Sequence, residues 1–204
     1  MGRYVGTLEL YAYVFGTSGT IVQGGGTITA DQQSLLGSAI NDAESAIDTY
    51  TRRDFVGQAG TRYFNRYQQD RVRSQALYLE EDLHTLVSLT NGDTTPIPTG
   101  SVWLEPRNEP PYRIMRLKSQ YVWVWNTDSD VTVAGTWGYS TVVPADIHRA
   151  AVQLSAYFYR LKDVGATTDV AGFPEAGEVQ ITSGIPNSIR HLLNPYRSRS
   201  GGAV

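Results

Sequence analysis

The chain of 204 residues contains no cysteine. A disulfide framework, a thiol nucleophile and a cysteine-ligated metal are thereby excluded, and the absence suits a reducing cytoplasm without requiring one. Charge is scarce as well, at 18% of residues, and the balance is -3 with a pI near 5.6. A protein that binds nucleic acid by neutralising phosphates needs clustered Lys and Arg, so sequence-independent capture of DNA is not expected. Uninterrupted apolar runs are short. None approaches the roughly 20 residues of a spanning helix, and the apolar "YVGTLELYAYVF" near the start is broken by Glu9 and followed by no small-residue cleavage site. The expectation is a mature N-terminus and no membrane segment.

Recognisable chemistry is equally sparse. The three histidines, His84, His148 and His191, have no ligand spacing such as His-x-x-x-His. Glu80, Glu81 and Asp82 are the densest acidic cluster, but neighbouring strand residues face opposite ways, so the run reads as a solvated turn and not as a paired acid and base. "GTSGTIVQGGG" lacks the Lys-Ser or Lys-Thr of a phosphate loop and reads as a flexible linker. No metal or cofactor site and no enzyme activity are expected.

What is present is a patterned core, with hydrophobic residues at 41%. Thr29 and Gln32 have capping-box spacing, and Leu36, Ile40, Ala43, Ile47 and Tyr50 recur in steps of four and three. This spacing predicts an amphipathic helix over roughly 30 to 52, with Asn41, Asp42, Glu44, Ser45 and Asp48 on its polar face. From 60 to 139 the period shortens to two in "QALYLE", "TLVSLTNGDTTPIP", "YRIMRLK", "YVWVWN" and "DVTVAGTWGY", about six short strands. Asn91-Gly92 marks a hairpin turn. With no helical pattern between strands, the sheet should be mainly antiparallel.

A second helix is expected over about 144 to 163, with Pro144 at its first position, Asp146 in its first turn and a buried stripe of Ile147, Ala151, Leu154, Phe158 and Leu161. "GATTDVAGFPEAGE" then reads as a loop, "VQITSG" as a strand, "IPNSIRHLLNPYR" as a short helix stopped by Pro195, and "SRSGGAV" as a disordered end.

The fold class expected is α+β: two long packed helices, an inserted, mainly antiparallel β region and a C-terminal arm with a short helix. The parts are an extension at 1–28, a first helix at 29–58, the β region at 59–140, a second helix at 141–165 and the arm at 166–204.

All four tryptophans, Trp103, Trp123, Trp125 and Trp137, fall in the β region. Trp123 and Trp125 are expected on one strand face, and such rings serve a core or an interface more often than a sugar platform. A carbohydrate-binding β module of a virion or surface protein is the alternative reading.

The stretch "TVAGTWGYSTVVPADIHRAAVQLSAYFYRLKD" resembles the head-tail connector proteins of tailed phages, the adaptor type that completes the head. The likeness lies in a strand ending with Gly135, Trp137, Gly138 and Tyr139, then Pro144, Asp146, Ile147 and Ala150 opening a long helix. "AINDAESAIDTYTRRDF" and "GIPNSIRHLLNPYR" are similar to the family's first helix and closing segment, so the likeness spans most of residues 30 to 197. It implies a virion neck protein, made in the host cytoplasm, that forms a ring, typically dodecameric, beneath the portal protein. The ring would extend the DNA channel, bind no DNA sequence, and offer a surface to a tail or neck completion protein.

The junction residues Gly135, Trp137, Gly138, Tyr139, Pro144 and Asp146 are expected to be structural, fixing the angle at which the helix leaves the sheet. The family's closing segment is thought to dock on the portal, which makes Ile185, Pro186, Ile189, Leu192, Leu193, Tyr196 and Arg197 the portal-binding candidates. Five apolar anchors at about 1.5 to 3 kcal/mol each do not outweigh ordering a dozen residues at about 1 to 2 kcal/mol each. A free arm would therefore bind weakly: either the short helix is preformed on its own subunit, or the ring supplies many arms at once and gains by avidity, which is the expectation here.

Overall fold

The computed structural model describes residues 2–16, 28–65, 72–73, 76–126, 129–161, 170–173, 177–180 and 184–198. The chain divides into a helical unit, Met1–Arg52 with Val143–Val204, and a β unit, Arg53–Val142. The class is α+β, as expected, and every strand pairing is antiparallel. No helix among the described residues is long and apolar enough to cross a membrane.

The helical unit is built on α2, Ala30–Thr51, and α3, Ala145–Leu161, which pack against each other. The capping box at the start of α2 is formed in both directions: the Thr29 hydroxyl accepts from the Gln32 amide at 3.2 Å, and the Gln32 side chain accepts from the Thr29 amide at 3.1 Å. Leu36, Ile40, Ala43 and Ile47 are buried, and Tyr50 is half-buried. The α3 start differs by one residue. Pro144 lies just before the helix, its carbonyl accepting from the His148 amide at 2.9 Å.

One face of α2 departs from the sequence pattern. Glu44, expected on the polar side, is only 4% exposed. The N-terminal segment covers it: the Tyr4 amide donates to Glu44 at 2.7 Å, while Arg3 and the Tyr4 hydroxyl donate to Asp48. Tyr4 and Val5 are buried beside it, so the carboxylate is taken from water by apolar neighbours and compensated by a backbone donor.

The covering segment leads into a helix that the sequence pattern did not reveal, α1, Thr7–Phe15. It ends at Gly16, whose φ of 70 gives the left-handed cap and whose amide returns to the Ala12 carbonyl at 3.0 Å. α1 packs on both α2 and α3 and buries Leu10 completely. Of the linker expected over 16–26, Gly16 caps α1 and the rest lies outside the described residues. Because α1 adds a third neighbour, Tyr159 joins the buried side of α3, while Phe158 and Leu161 stay half-buried.

Beyond α3, part of the expected loop pairs instead: β8, Val170–Phe173, forms a hairpin with β9, Gly177–Gln180. Residues 162–169 and 181–183, with the rest of that loop and strand, and the tail at 199–204 lie outside the described residues. The short helix α4, Asn187–Leu193, follows, and Pro195 sits in a single 3-10 turn at Asn194–Tyr196, as its stop signal predicts.

In the β unit the strands are β1 (Gln58–Phe64), β2 (Val72–Arg73), β3 (Ala76–Thr90), β4 (Pro96–Ile97), β5 (Val102–Glu105), β6 (Tyr112–Leu117) and β7 (Val131–Trp137). They form one sheet of order β1-β7-β3-β6-β5, with β2 and β4 also on β3. Its core gathers Phe64, Leu77, Leu83, Leu89, Met115, Val131, Val133 and Trp137.

Two expectations fail here. "QALYLE" and "TLVSLT" are not separate strands around a turn, because β3 runs through Glu80, Glu81 and Asp82. Its registers with β6 and β7 shift around Leu83, and exposure breaks alternation, with Glu80 and Glu81 outward and Asp82 and Leu83 both buried, as bulges produce. "YVWVWN" forms no strand either. It is held by Asn91, whose side chain donates to the Val122 carbonyl at 2.9 Å and accepts from the Val124 amide at 3.0 Å. Asn91-Gly92 does open a turn, though one of five residues, Asn91 to Thr95, before β4 pairs back.

Candidate interaction surfaces

The β unit closes on itself where the strand-to-helix junction begins. The Tyr139 amide donates to the Asp54 carbonyl at 2.7 Å and the Gly57 amide to the Ser140 carbonyl at 2.7 Å, so 54–57 and 139–140 run side by side. Gly138 has a φ of 141, and a Cβ there would stand 2.7 Å from the Gly57 Cα. Gly135 presses on β3: an added Cβ would collide with the Thr85 carbonyl oxygen and lie 2.8 Å from a Leu83 methyl. Trp137 is buried between them and donates from Nε1 to the Gly60 carbonyl at 3.0 Å.

Beneath this closure sits a charged cluster that the sequence reading missed. Asp82, 4% exposed, accepts from Arg53 at 2.7 Å on one oxygen and from Arg113 at 2.6 Å on the other. Its backbone carbonyl accepts from the Gly138 amide at 2.7 Å. Arg53 also lies over the Tyr139 ring, which itself packs on the fully buried Phe55. Neighbouring Glu81 takes a bidentate contact from Arg62 at 2.9 and 2.7 Å, and that hydrogen bond raises the Arg62 pKa further above its ordinary value. Every charge in this cluster is engaged structurally, and no group of three His, Asp or Glu among the described residues is arranged to hold a metal.

The junction's other two residues start the second crossing into the helical unit. Pro144 supplies the first accepting carbonyl of α3, and Asp146 accepts from the Tyr196 hydroxyl at 3.3 Å. Of the histidines, His148 meets Glu9 of α1 at 2.9 Å, both exposed, His84 bonds the Thr85 hydroxyl, and His191 is exposed on α4.

The C-terminal segment is not a free arm. Ile185, Ile189 and Leu193 are buried within the helical unit, where α4 packs on α3 and α2. The Tyr50 hydroxyl donates to Asn194 at 2.6 Å, Arg197 lies over the Tyr50 ring at 5.1 Å, and the Ser198 amide donates to the Thr51 carbonyl at 2.8 Å. The expected free arm is thus corrected in favour of the alternative, a short helix preformed on its own unit, where Ile185, Ile189 and Leu193 are already buried. Pro186, Leu192 and Tyr196 are half-buried and Arg197 is exposed, so these four keep surface toward solvent.

The tryptophans do not form a shared strand platform. Trp123 and Trp125 are half-buried against the sheet core, 6.4 Å apart and tilted by 32°. Trp103 is 40% exposed, but Arg107 and Lys118 lie over its ring at 3.8 and 4.7 Å.

Two features of the helical unit face outward. On α1, Leu8, Tyr13 and Phe15 are 59%, 51% and 44% exposed. On another side of the unit, Asp42, Ser45, Ala46, Thr49 and Tyr50 of α2, with Phe158 and Ile185, line an open groove of about 460 Å³.

Comparison with known proteins places this architecture. No family model matches the chain, and no curated protein matches it. Solved structures do. A chain in the neck of an empty gene transfer agent (GTA) particle, computed with C6 symmetry, superposes with a TM-score of 0.63 at 18% identity, covering 98% of this chain and 94% of that one. A chain in the virion of a native particle gives 0.61 at 17% identity over 99% and 95%. One in the native neck, computed with C12 symmetry, gives 0.53 at 19% identity over 86% and 87%. At such identities the likeness establishes the fold alone, which this chain shares with those chains of gene transfer agent particles.

Proposed function

We propose that the chain is a structural head-tail connector of a tailed-phage-like particle, assembling as a ring beneath the portal protein, extending the DNA channel and presenting the surface to which the tail attaches. The observation that carries this reading is the fold likeness to a chain of a neck assembly over nearly the full length of both. It agrees with the resemblance of the Gly135-to-Ala150 junction to head-tail connectors, which rests on different grounds. The six- and twelvefold symmetry of those assemblies suits a head-to-tail contact that closes by rotation. The weak net charge of -3 suits a channel through which DNA passes unheld.

On this reading the tail or neck completion protein binds the opposite rim, and the portal-facing candidates narrow to Pro186, Leu192, Tyr196 and Arg197. Ile185, Ile189 and Leu193 would act by holding that surface in place.

The test is the mass of the purified chain, alone and mixed with the portal protein of the same particle, by light scattering with negative-stain imaging. Rings, formed freely or on the portal, are expected. A chain that stays monomeric at high concentration and ignores the portal refutes the proposal.

A further inference from the structure

Asn91-Gly92 opens the turn before β4, and it is the chain's one Asn-Gly pair. Asparagine is thermolabile, and a glycine after it leaves the next backbone nitrogen unshielded, since no side chain stands beside it. The reaction open to such a pair is deamidation. The Gly92 nitrogen loses its proton and attacks Asn91 Cγ, ammonia leaves with Nδ2, and water opens the five-membered imide at either carbonyl. The product is aspartate, or isoaspartate with one more carbon in the main chain.

The fold occupies every atom that this course needs. Both residues are buried, Asn91 at 5% exposure. Nδ2, the leaving group, donates to the Val122 carbonyl at 2.9 Å, and Oδ1 accepts from the Val124 amide at 3.0 Å and from the Gly92 amide itself at 3.1 Å. The attacking nitrogen is thus held as a donor to the oxygen, when reaction requires it deprotonated and aligned on the carbon. Turning it there needs rotation of the Asn91 backbone, whose amide and carbonyl are tied to the Thr95 carbonyl and the Thr94 amide at 2.9 Å each. Gly92 is confined as well: a Cβ on it would collide with the Val124 carbonyl oxygen, and its own carbonyl accepts from the Ser129 hydroxyl. Packing therefore demands glycine at 92, while the hydrogen bonds of the 121–125 segment demand asparagine at 91.

We propose that Asn91 is a modification site closed by the fold: local opening of the 91–95 turn exposes it to deamidation, and the product unties residues 121–125 from the sheet. A carboxylate in place of the amide has no N–H for the Val122 carbonyl, so acceptor meets acceptor, and it places a charge where almost no water reaches. Isoaspartate lengthens the main chain inside the turn that the Thr94 and Thr95 contacts close. With either product, Trp123 and Trp125, half-buried against the sheet core, lose the residue that holds their backbone in place. Loss of ammonia makes the change one-way. It goes beyond the connector reading and does not depend on it.

The full wild-type chain is incubated warm at mildly alkaline pH, folded and in guanidinium chloride, then digested with trypsin and weighed. The peptide 74–107 carries Asn91 as its one asparagine. The mass gain of amide-to-acid conversion should accumulate there at least about tenfold faster in the denatured chain, because the folded one reacts only through its open fraction. Asn91→Asp reproduces the product and should keep the far-ultraviolet circular dichroism of wild type, with red-shifted tryptophan emission and rapid chymotryptic cleavage within 121–125. Asn91→Ala removes the same side-chain hydrogen bonds without burying a charge, should give the same two readouts, and serves where Asn91→Asp does not fold. Equal conversion in the folded and denatured chain, or none in either, overturns the closed site. A folded variant with the emission and protease resistance of wild type overturns the release.

Discussion

Glu81 and Asp82 are adjacent carboxylates, each bound to arginine, and their surroundings assign them opposite weights. The Glu81 and Arg62 side chains are 53% and 39% exposed, so water competes for both charges. Glu81→Gln should shift the urea midpoint by no more than the equivalent of about 1 kcal/mol. The Asp82 side chain is 2% exposed and holds two guanidiniums. Asp82→Ala leaves Arg53, with its Nε already buried and unpaired, facing uncompensated positive charge, and a loss of about 3 to 5 kcal/mol is expected in the same measurement. Equal effects from the two would show that the bridging geometry contributes nothing. Gly138 is the other decisive single position. Its substitution by alanine combines a disallowed φ with a collision against backbone, which cannot yield as a side chain would, so a loss of about 2 kcal/mol or more is expected in thermal unfolding.

At the scale of elements, legibility followed locality. α2 was readable because its cap and its buried stripe are written within the helix itself, at Thr29, Gln32 and the 36-40-43-47 series. β7 and the Gly135-Thr136-Trp137-Gly138 run at its end were readable for the same reason. The failures occur where a distant residue decides. "YVWVWN" alternates like a strand, but the Asn91 side chain takes the backbone groups that a neighbouring strand would need. The acidic run looked like a turn because nothing local reveals that Arg53 and Arg113 arrive on Asp82. α1 was hidden by its own composition, since an apolar stretch without a polar face carries no period to detect. For the C-terminal segment, helix and stop were legible but its seat was not, because α4 finds its burial on α3 and α2. Leu193, fully buried there, should cost about 2 to 5 kcal/mol when cut to alanine, while half-exposed Leu192→Ala should leave the unfolding midpoint nearly unchanged. A reversed order would show that α4 packs by its other face.

For the whole molecule, the two units share one chain in an unequal way: the β unit is a single uninterrupted stretch, and the helical unit is made of what precedes and follows it. Every described β strand of the large sheet pairs within residues 58–137, and the described residues of its core lie in the same stretch. A segment spanning 53–142 should therefore fold when produced by itself, giving a cooperative melt and a dispersed amide spectrum; a spectrum of collapsed, unfolded chain would contradict this.

The paired ends of that segment have a further consequence. Because 54–57 and 139–140 are joined by their own hydrogen bonds, the segment enters and leaves at one place, like a cassette with a common plug. Lengthening, trimming or exchanging its loops leaves the plug unaltered, so variation in that part of the protein can be tried, by evolution or by an engineer, without rewriting the helices on either side of it.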